Sequence, residues 1–398
     1  MKAGKWTRLL LVGAPFLTGC GNFWQAPSTT TSGSCTTNCT TATSGSFYIL
    51  NAGTTPEVVG ESIVTGTLTA LSGSPWTVEG TPYSMAIDPN GNFLIVSTTS
   101  GVFSYPISGG VLGTAVLVSS DQAYAVQVDT SSSWLLEAIP GTGGVTIGAV
   151  PISSTTGAGT GAELTRSFTV TSAALQSNRM AISGDDANIF VVLGAGGTIV
   201  VPFNASAATG TNPLGATGTH IPITATSGSA LSVAVDPGTT PRLFYIGESL
   251  ANTAHTSGGL RAFNYSSLST STLTQATGSP IASGGLAPNF ILPSGDGSYV
   301  YVANGAGASS AGNVAGFTIT ASTATIPVYT VATDTSTAAG VQPLGLAEDS
   351  SSAFVFAVGS LGSPYFDAYT FDSTVLGQLD SQITSTTKTG SIAIVAAP

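Results

Sequence analysis

Proton transfer near neutral pH calls for a side chain that titrates there, and this chain of 398 residues holds two histidines, His220 and His255. His255 lies in a long polar stretch, Glu248 to Gly259 (ESLANTAHTSGG). A loop of that length on a rigid scaffold is a place where ligands bind, although the plainer reading of His255 is a solvated loop residue. His220 opens an irregular apolar segment (HIPIT) and reads as structural. Two histidines and three cysteines are too few and too scattered for a zinc site, so no metal is expected. Asp185-Asp186 and Ser294-Gly295-Asp296-Gly297 have the oxygen ligands that calcium takes, but they stand between β-favouring runs and read as turns. No G-x-S-x-G stands on a strand-to-helix turn, and no Gly-rich loop leads into a helix. No cofactor is expected.

The elements that must position these residues repeat. In Pro82 to Ile107 an alternating run (Met85 to Ile87) meets the turn Asp88-Pro89-Asn90-Gly91, then a solid apolar run (Phe93 to Val96), a short polar loop and a further alternating run. Pro presets φ for the turn and Gly accepts φ > 0, so the stretch reads as three antiparallel strands. Degenerate copies follow about every fifty residues. Their turn-preceding strands are Val126 to Val128, Met180 to Ile182, Val233 to Val235, Phe290 to Leu292 and Leu344 to Leu346. Each is followed by an apolar run such as WLLEAI, IFVVL, LFYIG, YVYVA or FVFAV, a polar loop, a third strand and a shorter, irregular fourth.

The two ends supply the missing copy. The repeats open at Phe47 to Asn51, which matches a second strand with no first strand before it. They end at Ile392 to Val395, which matches a first strand. Joined, the two complete a seventh module and remove the exposed sheet edges of an open array. The expected fold is therefore all-β: a seven-bladed β-propeller of four-stranded antiparallel blades, closed by the C-terminal strand. Loops joining second to third strands, and those joining blades, then gather on one face around the axis. The polar candidates on that face are Glu79, Tyr83, Asp121, Arg179, Glu248, Asn252, His255, Asn289, Asn304 and Gln342. Of these, Tyr83, Asp121, Asn289 and Gln342 are the expected ligand-binding set.

The repeat unit P-x-x-φ-A-φ-D-P-x-G-x-φ-φ-φ-V, followed by a loop and a G-φ-φ-x-φ strand, resembles the YVTN-repeat and lactonase-like seven-bladed propellers. Tyr299-Val300-Tyr301-Val302-Ala303-Asn304 matches their signature second strand, and the resemblance spans Phe47 to Pro398. Members resemble 6-phosphogluconolactonases in fold. Lactonase-type members carry Arg-His before a first strand and a Glu after a second strand. The resemblance therefore implies catalytic roles for Arg179 and Glu248, with His255 as the accessible imidazole. The residue after Arg179 is Met180 rather than His, which weighs against lactone hydrolysis.

Ahead of the repeats, Lys2, Lys5 and Arg8 precede an apolar run from Leu9 to Leu17 that is too short to span a bilayer. The run ends in Leu17-Thr18-Gly19-Cys20, which resembles the lipobox of bacterial lipoproteins. That resemblance implies cleavage before Cys20, lipidation of its sulfur and stable anchoring by two or three acyl chains. Residues 1–19 are thus expected as a signal peptide, 20–46 as a Ser/Thr-rich tether and 47–398 as the propeller. Within the tether Cys35 and Cys39 stand close enough for a local disulfide after export.

Charged residues make up 7% of the chain, against about 25% in an ordinary globular protein, and the net charge is −11. Removing residues 1–19 strips three bases and no acid, leaving a surface that cannot neutralise a phosphate backbone. No nucleic-acid partner is expected on that ground. The expectation is an exported monomer, lipid-anchored through Cys20 at the outer membrane, periplasm or cell surface. It binds a protein, peptide or glycan over the axial face, and the alternative is a lactonase-like hydrolase.

Overall fold

The computed structural model describes residues 44–398, apart from 209, 238–242, 251–256, 265–272, 277, 306–311, 322–326, 332–336, 340–341, 361–364, 373–374 and 387–388. Cys20, Cys35, Cys39, Asn252 and His255 lie outside the described residues. Among those described there is no helix, and seven antiparallel sheets form the ring of a seven-bladed propeller.

The inner strands of blades 1 to 6, next to the axis, are Pro82–Ile87, Ala125–Val128, Met180–Ile182, Ala230–Val235, Pro288–Pro293 and Pro343–Glu348. Second strands follow at Phe93–Thr98, Trp134–Gly141, Asn188–Val192, Leu243–Glu248, Tyr299–Asn304 and Phe354–Gly359. Third strands are Gly101–Ser108, Gly144–Pro151, Thr198–Pro202, Gly259–Asn264, Gly312–Ala321 and Phe366–Phe371. Blade 7 takes its inner strand Ser391–Ala396 from the C-terminus and its second and third strands, Phe47–Asn51 and Glu57–Val64, from the N-terminal side. Phe47 pairs with Ala396 and Ile49 with Ile394, so the expected ring closure is present.

Outer strands depart from the four-stranded expectation. In blades 1, 4, 5 and 7 the outer strand is broken into two pieces that pair with the same third strand. In blades 7 and 4 the break contains Gly73-Ser74-Pro75 and Gly278-Ser279-Pro280, residues that interrupt a ladder by conformation or by a missing N–H.

Second strands are apolar throughout because both of their faces are buried between neighbours. Phe93–Thr98 and Leu243–Glu248 are buried at every position. In blade 2, Leu135 packs with Phe93 and Ile95 of blade 1, while Leu136 and Ala138 pack with Ile189 and Val191 of blade 3. Each such side chain contributes on the order of 1.5–3 kcal/mol by leaving water. A charge placed there must find a partner.

The turns between inner and second strands are secured by their first residue. Asp129 accepts hydrogen bonds at 2.7 Å from the backbone N–H of both Ser133 and Trp134, and Ser183 Oγ accepts from Ala187 and Asn188 at 3.1 and 3.0 Å. The fourth residue of the turn is left-handed in blades 1, 2, 3, 5 and 6: Gly91, Ser132, Asp186, Gly297 and Ser352 have φ between 52° and 69°. The same turns bind their neighbours. The Ser132 hydroxyl donates to Asp88, the Thr130 hydroxyl and N–H donate to Asp186, and Gly295 N–H donates to Glu348 at 2.9 Å. These hydrogen bonds tie neighbouring blades together on this face of the ring.

Candidate functional site

At the opposite end, around the axis, five inner strands carry a register shift at their second residue: Tyr83, Leu231, Asn289, Leu344 and Ile392. A bulge of this kind re-aims a side chain out of the ladder. Two of the four expected ligand-binding residues, Tyr83 and Asn289, are therefore bulge residues, and both are half-buried. The Tyr83 ring stacks on Tyr124, just ahead of the inner strand of blade 2, at 4.5 Å and 28°. Asn289 Nδ2 donates to the Pro343 carbonyl at 3.1 Å, joining blade 5 to blade 6. Gln342 stands half-buried immediately before the inner strand of blade 6. Ser84 Oγ donates to Asn178 Oδ1 at 2.9 Å and accepts from Val126 N–H at 3.2 Å, so blades 1, 2 and 3 are tied together beside the mouth.

Arg179 directly precedes the inner strand of blade 3 and is 8% exposed. Its guanidinium lies 5.7 Å from the ring centroid of Phe290, on the inner strand of blade 5. Those blades are not neighbours, so the side chain reaches past blade 4 within the central opening. One Nη donates to the Asn178 carbonyl at 3.1 Å. Burial lowers its pKa to about 10, which leaves it charged at neutral pH. Among the described residues it forms no ion pair.

Glu248 is not at that mouth. It ends the second strand of blade 4, is 2% exposed, and forms an ion pair of 2.7 Å with Arg261 of the third strand. Thr224 N–H donates to both of its oxygens at 3.3 and 3.2 Å. Arg261 also donates to the Pro222 carbonyl at 2.8 Å and to Gln275 at 3.0 Å, and lies 4.9 Å from the Phe263 ring. The arrangement clamps the link from blade 3 onto blade 4. Arg261 stands in a run, LRAFNY, otherwise typical of a third strand, and only its charge distinguishes it.

The remaining candidates are spent on structure or peripheral. Asn304 donates to the Ser283 carbonyl and Asn313 at 2.8 and 3.0 Å and accepts from Ser283 Oγ at 2.7 Å. His220 Nε2 is 2.6 Å from the Gly196 carbonyl, bracing blade 3, and Glu79 is exposed. On the turn face, Ser131, Asp185, Asp186, Phe203 and Asn204 border an open crevice of about 380 Å³ between blades 2 and 3.

Asp121, the fourth expected ligand-binding residue, belongs to a different constellation. It lies in the link from blade 1 to blade 2, and its carboxylate converges with those of Glu137 and Glu163, with their oxygens within 4.8 Å of one another. Glu137 is fully buried in the second strand of blade 2, and among the described residues neither of its oxygens has a hydrogen-bond partner of good geometry. Burial first, then the charge of Glu163, pushes its pKa well up, and the nearby Ser119 hydroxyl offsets only part of this. Glu163 is raised to about 7 by burial and by Asp121. Glu137 was the available sequence signal, a charge inside the otherwise apolar run WLLEAI.

No protein-family model and no curated protein matches the sequence. Solved structures do match in fold. A 6-phosphogluconolactonase-like protein from Bacteroides uniformis superposes with a TM-score of 0.65 at 15% identity, over 88% of this chain and 98% of that one. A second, from Bacteroides fragilis, gives 0.62 at 13% identity over 89% and 98%. The periplasmic gluconolactonase of Pseudomonas aeruginosa gives 0.63 at 14% over 90% and 100%. The chain is thus a seven-bladed propeller with the architecture of these lactonase-like structures, a likeness of fold alone.

Proposed function

We propose that this is an exported binding module, held at the cell envelope by lipid on Cys20, whose axial mouth takes the carboxylate of an acidic sugar unit. The observation that carries the reading is Arg179: a charged guanidinium at the axis, braced by Phe290 and one carbonyl, with no carboxylate opposite it among the described residues. The stacked Tyr83–Tyr124 pair offers an aromatic surface beside it, and the half-buried amides Asn289 and Gln342 offer the few directed polar groups that fix a ligand's orientation. Glu248 does not serve as a general base in this reading, since Arg261 and Thr224 occupy its oxygens.

The test is calorimetric titration of the protein with uronate oligosaccharides and with the same oligosaccharides after carboxyl reduction. Arg179→Met is expected to weaken uronate binding about 30-fold, the equivalent of losing roughly 2 kcal/mol of charged hydrogen bonding, and to leave neutral binding unchanged. Equal binding of both ligands by wild type would overturn the acidic-sugar reading. Turnover of an aldonolactone panel, lost in Arg179→Met, would replace it with the hydrolase. Anchoring is tested separately: Cys20→Ser should move the protein from the membrane to the soluble fraction, and unchanged fractionation would remove the lipid.

A further inference from the structure

Blades 2 and 4 solve the same local problem in different ways. In both, the backbone N–H of the turn Asp donates to the carbonyl of the first second-strand residue, Asp129 to Trp134 and Asp236 to Leu243, so these residues correspond. Counting from there, Glu137 corresponds to Ile246, and their cross-strand partners Gly148 and Arg261 occupy the same register position. In blade 4 that position sends a guanidinium among three groups: Glu248 on the second strand, Gln275 on the outer strand and the Pro222 carbonyl in the link from the preceding blade. In blade 2 the corresponding elements bring Glu137 on the second strand, Glu163 just ahead of the outer strand and Asp121 in the link from blade 1. Where blade 4 has arginine, blade 2 has glycine.

The missing side chain is what makes room. A Cβ on Gly148 would collide with Glu163 Oε1 and would lie 3.5 Å from Glu137 Cβ, so the Glu163 carboxylate sits over the bare glycine. The result is three carboxylates without a cation, at a position where the fold elsewhere supplies one. Glu137 shares the face of its strand with Leu135 and Ile139, which pack against blade 1. Among the described residues neither of its oxygens has a hydrogen-bond partner of good geometry, the nearby Ser119 hydroxyl included, although it is fully buried. Leaving a buried carboxylate unpaired costs several kcal/mol, so a cation drawn into the cluster gains what Arg261 gains in blade 4.

We propose that Asp121, Glu137 and Glu163 form a binding site for a hard divalent cation of the calcium class, seated between blades 1 and 2 in the place that Arg261 fills in blade 4. Oxygen-only ligands select calcium or magnesium over zinc or copper. Three carboxylates in flexible, unequal positions suit calcium, whose coordination number and geometry are adaptable, better than magnesium, which demands an octahedron. Asp121 and Glu163 are half-buried, so they provide the route in and leave coordination positions to water. The ion would cross-link the inter-blade link, the second strand and the approach to the outer strand, as the arginine clamp does two blades on.

The test uses the full chain treated with chelator and then titrated with CaCl2 or MgCl2 by equilibrium dialysis and thermal melting. One Ca²⁺ per chain is expected. At a hundredfold excess over Kd, the melting temperature should rise by roughly 4 °C, with a smaller effect of Mg²⁺. Glu137→Gln/Glu163→Gln should abolish both the bound ion and the shift. Gly148→Arg should restore the blade 4 arrangement, the displaced Glu163 carboxylate being the end of a flexible side chain. That variant should bind no Ca²⁺ and should melt independently of calcium above chelator-treated wild type. Absence of bound Ca²⁺ in wild type, or a shift that survives in the double variant, would overturn the proposal. Wild-type melting that ignores calcium but rises with acid would assign the cluster to shared protons instead.

Discussion

Removing one partner of the Glu248–Arg261 pair should be among the most damaging polar substitutions in the ring. Arg261→Met keeps an unbranched stem over the Phe263 ring but leaves Glu248, 2% exposed, without its cation. Thr224 N–H alone then solvates both oxygens, from more than 3 Å. Breaking a buried pair in this way costs about 3–5 kcal/mol. The Pro222 carbonyl and Gln275 lose their donor as well, so the upper half of that range is expected. Removing both charges in Arg261→Met/Glu248→Met should recover most of the loss, because two well-packed apolar chains dispense with two desolvation penalties. Urea unfolding followed by tryptophan fluorescence gives the four corners of a double-mutant cycle, with an expected coupling of about 4–6 kcal/mol because either single change strands the other charge. A single-variant loss under about 1 kcal/mol, or additive singles, would refute the argument that this pair clamps blade 3 to blade 4.

Two further outcomes follow from buried acids elsewhere. Asp367 on the third strand of blade 6 accepts the Tyr369 hydroxyl at 3.1 Å on one oxygen and, among the described residues, has no partner on the other. Burial raises its pKa from the ordinary 3.8 to about 6, against a smaller opposing effect of Tyr369. Between those values the folded state holds a proton that the unfolded state has released. This group's contribution to stability is therefore fully present below about pH 4, is lost as the pH rises through 6, and does not change above that. Asp367→Asn should raise the melting temperature at pH 7.5 and flatten the dependence between pH 4 and 6; an unchanged profile would remove Asp367 as its source. Asp129→Ala in the blade 2 turn strips the acceptor from two N–H groups and should cost about 2–4 kcal/mol in the same urea assay. Asp129→Asn, which keeps one carbonyl oxygen, should cost less than half as much.

What could be read ahead of the structure was whatever repeats. Phe47 to Asn51 and Ile392 to Val395 matched complementary strands of one module, and they pair as such. The turn residues were legible because each does a local job: Asp129 and Ser183 cap the next N–H groups, and one position is left-handed even where it is Ser132 or Asp186 rather than Gly. The site was less legible because it depends on which non-repeating side chains meet across blades. Tyr83 and Asn289 were placed near the axis from the strand ends alone, but their projection comes from a bulge that alternation does not encode. Arg179 and Glu248 stand at comparable ends of adjacent blades, yet the first reaches Phe290 two blades away and the second turns to Arg261. Glu137 and Arg261 were visible as charges in apolar strands. Their partners, Glu163 and Gln275, come from the outer strands and their approaches, where the repeat is least regular.

A chain with 7% charged residues allows its buried charges to be sorted by how each is neutralised, and that sorting separates structure from function. Glu248 and Arg261 neutralise each other, and Asp88 and Asp129 are solvated by N–H groups of their own turns, so nothing outside the chain is needed. Arg179 is held by a ring and a carbonyl, neither of which carries a full opposite charge. The three acids around Gly148 converge on one another beside the Ser119 hydroxyl, with no ion pair among the described residues. Like Asp367, both sites carry a desolvation cost that folding alone would have removed by substitution to a neutral residue. Their signs are opposite, and each sits where solvent can deliver the counter-charge, one at the axis and one at a seam between blades. An anion for Arg179 and a cation for Asp121, Glu137 and Glu163 are the complements proposed for them.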